Sequence, residues 1–402
     1  MMLRLALVLG LTAWAGAQVP VLQPLTNVAG KAPAGLGTGA GFYVPVTPET
    51  IRWGYLPEAD AKPVLRVPSG SVVTFDTLSH EGLLEDQGRD AKRYFTGLGV
   101  PAGEVLRDAE AITGSGLAHD FLKDGPHIVM GPVEVQGAAP GDLLKIEFLA
   151  FTPRVPYGVV SNRHGKGALP GEFPESPEAG AGAGAASPEA FHNVSKLVRL
   201  KTQGGKLVGV METGKGGTVE FPVAPFLGTV GVTPAGDGRT NSIPPGSFGG
   251  NIDIHYLVAG STLYLPVQVA GAKLFVSDPH FAQGNGEVAL TAVEGSVRAT
   301  MRLTVLKVGE AGYPTKRALT GPFAETPEYW IPIGLDVDLN EAMKKAVRSA
   351  IDYLAENQGM DRAAAMAYLS AATDFEVSQV VDRVKGVHGL IRKRDFVGRG
   401  AK

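Results

Sequence analysis

Five polar residues crowd into ten positions: Asp278, His280, Gln283, Asn285 and Glu287. Asp, His and Glu are the side chains that ligate hard or borderline cations and move protons. The apolar run Leu274-Phe275-Val276 comes directly before them. The polar groups therefore stand at the end of a strand-like element rather than in a loose loop. Asp278 and His280 are two apart and share a face of an extended chain. A second cluster follows Pro244-Pro245-Gly246-Ser247-Phe248-Gly249-Gly250 and contains Asn251 and Asp253, also two apart. Its glycines let the backbone turn sharply or approach a ligand closely. From the residues alone two bland readings stay open: an Asp-Pro turn with satisfied polar groups, and a glycine-rich turn capped by Asn and Asp.

Positioning such groups falls to β structure. The 402 residues include 54 glycines and 29 prolines, about a fifth of the chain, which predicts many turns. Segments 64–77, with Pro68-Ser69-Gly70 as a turn, and 131–148, turning at Pro140-Gly141-Asp142, read as strand pairs. The arms of the second pair alternate as half-buried antiparallel strands do. Residues 43–46 suggest a short edge strand. Pro132–Ala138 and Pro266–Ala272 agree at five of seven positions, a hint of internal duplication. After Trp330 the pattern becomes helical. Met343, Val347, Ile351 and Leu354 fall on one face of a helix over 339–358 with Asp338 as N-cap. Further helices are expected over 361–371 and 376–384.

The expected class is mainly β (α+β). The expected division is a signal peptide at 1–17, an N-terminal β domain at 18–174, a flexible Gly/Ala-rich loop at 175–189, a motif-bearing β domain at 190–328 and a helical C-terminal region at 329–402. The N-terminus carries Arg4, an apolar core over residues 5–14 and the small-x-small sequence Ala15-Gly16-Ala17. That pattern predicts cleavage after Ala17 and export to the periplasm or the outside, with no membrane attachment afterwards. Cysteine is absent. A thiol nucleophile is excluded, and an exported chain must rely on its core instead of disulfides. The net charge of -3 offers no electrostatic attraction to nucleic acid.

The runs PFLGTVGVTP, PPGSFGGNID and LPVQVAGAKLFVSDPHFAQGNGE resemble the acetamidase/formamidase family, as do GPVEVQGAAPGDLLKIEF and SQVVDRVKGVHGLIRK. These motifs extend from about residue 70 to 393. The resemblance implies hydrolysis of short-chain amides to a carboxylate and ammonia. It also implies a β-sandwich and barrel-like body with a small C-terminal part, and a homo-oligomer. Three departures stand out. Ser277 precedes Asp278 where the family has Gly. The family's Gly-Asp-Gly-Glu reads Gly284-Asn285-Gly286-Glu287. Residues 78–124 follow the family pattern less closely, which bears on the choice of substrate.

Amide hydrolysis needs an activated nucleophile, a stabilised oxyanion and a proton for the leaving amine. With no Cys and no Gly-x-Ser-x-Gly elbow, water activated by a metal or a carboxylate remains. Asp278, His280 and His80 form the expected ligand set for a divalent ion such as zinc, with Asp253 as alternative third ligand and catalytic candidate. Glu287 is the candidate general base or acid. Asn251 and Gln283 are expected to orient the amide, and His127, near a position where the family has a His, to contact it. His119, His164, His192, His255 and His388 read as structural or exposed. Two other readings stay open: a non-catalytic secreted β module, and a metal-dependent hydrolase of another small substrate.

Overall fold

A computed structural model describes residues 19–33, 36, 39, 41–163, 165–175 and 193–397. The expected signal peptide, residues 176–189 of the expected loop, His164 and His192 lie outside them.

The chain builds two large sheets that share a continuous apolar core, so the body is a β-sandwich. The second sheet runs in the order Thr218–Pro222, Lys206–Glu212, Val194–Gln203, Tyr157–Asn162, Val293–Glu294, Leu274–Ala282, Phe226–Val232, Gly249–Asn251. Strand Leu274–Ala282 is central and buried at all but its last position. Ile128–Val135 also pairs with it. Near-continuous burial explains why its sequence is apolar on both sides until the polar residues appear.

Strands from 18–174 and 190–328 interleave in both sheets, so the expected domain boundary does not divide the fold. The expected strand pairs are corrected for a related reason. Leu65–Val67 joins the second sheet and Ser71–Asp76 the first. Ile128–Val135 and Leu143–Pro153 are likewise split between sheets. Each turn is a corner between layers rather than a hairpin. Ile128–Val135 is buried at every position except Glu134, not half-buried. The similar segments 132–138 and 266–272 are two such corners lying side by side, joined by Val135 N–H to the Gly271 carbonyl (2.9 Å) and Gly271 N–H to the Ala138 carbonyl (2.9 Å). Their likeness reflects the same corner crossed in opposite directions.

Helix Leu339–Asn357 starts at Asp338, whose carboxylate accepts from the N–H groups of Asn340 and Glu341. Its buried stripe is Ala342, Ala346 and Ala350, with Tyr353 and Leu354. The expected Met343, Val347 and Ile351 are only half-buried. Close approach decides this: a Cβ on Gly334 would lie 2.1 Å from the Ala342 carbonyl oxygen, so the helix sits directly on the strand Tyr329–Asp336. A second helix, Arg362–Ala372, is capped by Asp361. The expected third helix is instead a strand, Asp374–Gln379, paired with Lys385–Arg392. Alternating Phe375, Val377 and Gln379 suit an extended edge beside a ready partner.

One buried ion cluster ties the N-terminal segment to the sandwich. Arg154, fully buried, lies 2.8 Å from Asp108 and 3.6 Å from Asp76, and donates to the Leu22 and Thr77 carbonyls. Arg298 donates two bonds to Asp76 (2.6 and 2.9 Å), and Tyr43 donates a third (2.6 Å).

Candidate active site

The central strand bends where its sequence turns polar. Pro279 has no N–H for the ladder, Asp278 adopts φ 54°, and the register against Val293–Glu294 slips between His280 and Ala282. Such a bulge re-aims side chains. Asp278 and His280 both turn into one buried cluster. His280 lies opposite Glu294, its Nε2 3.0 Å from the Glu294 Oε1 and 3.1 Å from the Asp278 Oδ2. Glu287 follows on the next turn and Asp253 on the segment after Gly249–Asn251. Their φ values of 46° and 49° are left-handed too. Three buried acids in a sparsely populated backbone region mark a site that the surrounding fold over-determines.

Gly228 supplies the space. A Cβ there would stand 2.3 Å from the Asp253 Oδ1, 2.7 Å from the His280 Cε1 and 2.8 Å from the Asp278 Oδ2. Glycine in Phe226–Val232 is therefore required by side chains of two separate segments.

His80 arrives from the segment after Ser71–Asp76 and His127 from the residue before Ile128–Val135. The Nδ1 of His80 and the Nε2 of His127 each lie 3.7 Å from the Asp278 Oδ1, and the His80 Nδ1 lies 3.9 Å from the Glu294 Oε2. The other nitrogen of His127 is engaged by the Ser242 hydroxyl at 2.9 Å. Asp278 and Glu294 thus each turn one oxygen toward His280 and the other toward His80. Asp382 completes the group from the turn before Lys385–Arg392. It is delivered by docking of Gln379 beside Gly286, with Gly286 N–H donating to the Ser378 carbonyl and Val380 N–H to the Gly286 carbonyl.

A cavity of about 170 Å³ opens onto these groups. His80, His127, Asn251, Asp278, Glu287, Glu294 and Asp382 form its floor. Asn251 is buried and its Oδ1 accepts from the Thr229 hydroxyl at 2.6 Å, leaving its NH2 to face outward. His280 and Asp253 stand behind the floor with no exposed surface. Gln283 does not line the cavity. Its NH2 donates to the Asp253 and Ser378 carbonyls, and its Oε1 meets the His280 Nδ1 at 3.1 Å. Two backbone acceptors fix the amide, so Oε1 can only accept and Nδ1 of His280 must donate. The His280 Nε2 is left facing two carboxylates.

Five carboxyl groups share the cluster: Asp253, Asp278, Glu287, Glu294 and Asp382. No lysine or arginine of the described residues forms an ion pair with them; imidazoles pair with Asp253, Asp278, Glu287 and Glu294. Burial pushes Asp253 and Glu287 well above the ordinary carboxylate range, and neighbouring carboxylates push further. Burial raises Glu294, against the pull of His280, and pushes Asp382 up to about 7. Asp278 goes the other way: His280 and His127 outweigh its burial and hold it low. His280 is raised, its burial outweighed by Glu294 and Asp278. Burial brings His127 down to about 4.

The donor set fits a divalent cation. His80 Nδ1, His280 Nε2, Asp278 Oδ1, Glu294 Oε2 and both Asp253 oxygens are buried without a hydrogen-bond partner. Three groups bring their ligand atoms within 4.8 Å of one another: His80, His127 and Asp278; Asp278, His280 and Glu294; and Asp253, His280 and Glu287. Separations of 3.7 Å are near the ligand spacing of about 3.3 Å in a tetrahedral shell with bonds of about 2.0 Å.

Glu294 and Asp382 were not singled out from sequence. Glu294 carries one faint signal, an acid inside the apolar Ala292-Val293-Glu294-Gly295. Asp382 carried none while residues 376–384 read as helix. Of the departures from the family pattern, Ser277 turns away from the cluster and donates to the Ile128 carbonyl at 2.8 Å. Asn285 is exposed and donates to Glu376 at 2.5 Å, outside the buried group.

A profile of the Acetamidase/Formamidase family matches residues 234–390. A Schizosaccharomyces pombe protein with a provisional formamidase name is 28% identical over 235 residues, 50% of this chain and 57% of that protein. The formamidase of Methylophilus methylotrophus is 25% identical over 312 residues (64% and 73%) and the acetamidase of Mycolicibacterium smegmatis 28% over 289 (57% and 69%). The chain thus spans a little over half of the first relative. Among solved structures, an acetamidase from Bacillus halodurans shares the fold with TM-score 0.63 and 24% identity over 89% of this chain and 100% of its own. An acetamidase from Yersinia enterocolitica does so with TM-score 0.65 and 23% identity over 90% and 96%. Residues 234–390 thus match the acetamidase/formamidase family, the named relatives are formamidases and an acetamidase, and the solved acetamidases share the fold.

Proposed function

We propose that this protein cleaves the C–N bond of a small linear amide of the formamide or acetamide type, yielding a carboxylate and ammonia. One observation carries the reading: the family's motif residues Asn251, Asp278 and Glu287 meet at the floor of a single cavity, with unpaired buried acids beside an amide donor. The Asn251 NH2, its oxygen engaged by Thr229, is placed to hold the substrate's carbonyl oxygen and the charge that develops there. Water adds to the carbonyl carbon and loses a proton to a floor carboxylate. The C–N bond then breaks as the nitrogen takes up a proton and leaves as ammonia. Asp382, pushed up to about 7 by burial, suits such two-way transfer near neutral pH. Glu287, raised well above the usual carboxylate range by burial and the nearby Asp382, suits donation to the leaving nitrogen.

His80, His127, Asp278, His280 and Glu294 would hold a divalent cation, zinc being suited to their mixed N and O donors. Such an ion supplies Lewis acidity and acidifies water. Gln283 orients His280, Ser242 orients His127, and the shared carboxylates of Asp278 and Glu294 keep the two imidazole groups in register. The N-terminal pattern supports export of the mature chain, and the family resemblance supports a homo-oligomer.

The test is ammonia release from formamide and acetamide by residues 18–402, before and after treatment with a chelator. Turnover that disappears with the chelator and returns with zinc is expected. Turnover indifferent to chelation would leave a carboxylate-activated water and remove the metal. No turnover on either amide would sink the short-chain reading.

A further inference from the structure

His80 and Glu81 stand side by side in Ser79-His80-Glu81-Gly82, within the stretch that departs from the family's pattern. A tight turn sets them. The His80 carbonyl accepts the Leu83 N–H at 3.1 Å, and Gly82, third in the turn, has φ 81°, a conformation that suits glycine. Both preceding side chains are buried. One edge of the His80 ring presents Nδ1 to Asp278 and Glu294, where it has no hydrogen-bond partner. The other edge presents Nε2 to the Glu81 Oε1 at 3.4 Å.

Glu81 is held by groups on the side away from His80. Its Oε2 accepts from the Gln87 amide at 2.5 Å, the Ser161 hydroxyl at 2.6 Å and the Tyr94 hydroxyl at 3.0 Å. Gln87 is itself fixed, since its Oε1 accepts the Gly82 N–H at 2.6 Å. The Glu81 Oε1 is shared between His80 and Arg163, whose guanidinium lies 3.3 Å away. Arg163 has a closer acid in Asp86, at 2.6 Å. One guanidinium between two buried carboxylates leaves a negative charge over, and the His80 ring faces it. An ion pair for Arg163 therefore accounts for Asp86 but not for Glu81. With an amide N–H on one oxygen and a guanidinium on the other, the Glu81 carboxylate can only accept. Nε2 must then donate, and Nδ1 turns its lone pair into the cluster. Metal-ligating imidazoles are anchored in this way through their second nitrogen. We infer that Glu81 is a positioning residue for His80, fixing the ring so that Nδ1 serves as a cation ligand; the inference rests on the cation reading above.

The first readout is zinc affinity of the mature chain, measured by competition with a chromophoric chelator. In Glu81→Gln, an NH2 must face either the donors around Oε2 or the His80 ring, so the anchor is lost. Affinity should fall about 10–100-fold. The second readout is the position of the His80 proton, followed by long-range proton–nitrogen correlation in zinc-loaded wild type with isotopically labelled histidine. His80→Gln assigns the ring. A protonated Nε2 and a metal-shifted Nδ1 are expected. A proton on Nδ1 with zinc on Nε2 overturns the inference, whether or not Glu81→Gln folds. Wild-type zinc affinity in Glu81→Gln overturns it as well, leaving Glu81 a partner of Arg163 only and sparing the cation reading. A wild type that takes up no zinc removes both, and ammonia release from acetamide by that protein would still uphold amide hydrolysis.

Discussion

Around Arg154, two buried aspartates, Asp76 and Asp108, meet two arginines and a tyrosine hydroxyl. At and behind the cavity floor, five buried carboxyl groups cluster; four of them pair with imidazoles, and none pairs with a lysine or arginine of the described residues. Both clusters are removed from water, and both bury groups that cost free energy to desolvate. In the first, each acid has a guanidinium that cannot lose its charge, so its charges are paired and the cluster tethers the segments it joins. In the second, the acids must share protons or accept a cation. The difference separates a structural ion cluster from a reactive one without reference to any motif: the first is balanced by the chain itself, and the second is not.

The comparison breaks most sharply through paired substitutions. Arg154→Leu strands Asp108, Asp76 keeping Arg298 and Tyr43, and should cost about 3–5 kcal/mol of stability, read by denaturant unfolding. Asp278→Asn should leave the stability of the cation-free protein unchanged or higher while lowering kcat/KM by more than about 100-fold. Equal destabilisation by both variants would erase the distinction between the clusters.

Gly228→Ala tests whether the floor is packed to its limit. With two carboxylate oxygens and a ring carbon under 3.0 Å from the added carbon, the variant should lose about 1–3 kcal/mol and nearly all activity. Wild-type activity in Gly228→Ala would mean that the acids can spread apart at no cost.

Gln283 sharpens the comparison at one histidine. If it acts by fixing His280, Gln283→Leu should weaken cation affinity about 10–100-fold and shift the pH profile of kcat/KM. Gln283→Glu keeps an acceptor for Nδ1 and should recover part of the affinity. A loss of thermal stability with unchanged cation affinity would assign Gln283 a packing role only.

The smallest effect belongs to an intermediate case at the rim. His119 Nδ1 meets Glu85 at 2.9 Å and its Nε2 meets the Gly125 carbonyl at 2.9 Å. Burial alone would lower the His119 pKa, but Glu85 raises it; Glu85 itself is lowered despite its burial, mainly by His119. A raised His stabilises fully below its unfolded value of about 6.5 and loses this as pH climbs through the folded value. A lowered Glu stabilises above about 4.5 and loses this as pH falls. The pair should therefore contribute most between about pH 4.5 and 6.5, on the order of 1 kcal/mol. The stability gap between wild type and His119→Leu, followed against pH, should peak there; a gap independent of pH would show that the ring matters only for its stacking on Trp53.

Much of this protein is legible in its sequence because the relevant physics is local. Turn residues and β-branched runs announce a mainly β chain. Asp338 and Asp361 cap their helices because a capping side chain acts within three residues. Asp278, His280 and Glu287 show their chemistry because they crowd along one strand and the turn after it. The tertiary structure alone decided the rest, because it depends on registers between distant segments. Only sheet pairing sets Glu294 opposite His280, only the docking of Gln379 on Gly286 delivers Asp382, and only the layered fold turns the strands on either side of Pro140-Gly141-Asp142 into different sheets. Gln283 shows the limit most clearly. Its amide suggests a substrate contact when read along the chain, but two backbone carbonyls from residues 253 and 378 take its hydrogens and turn its oxygen onto His280.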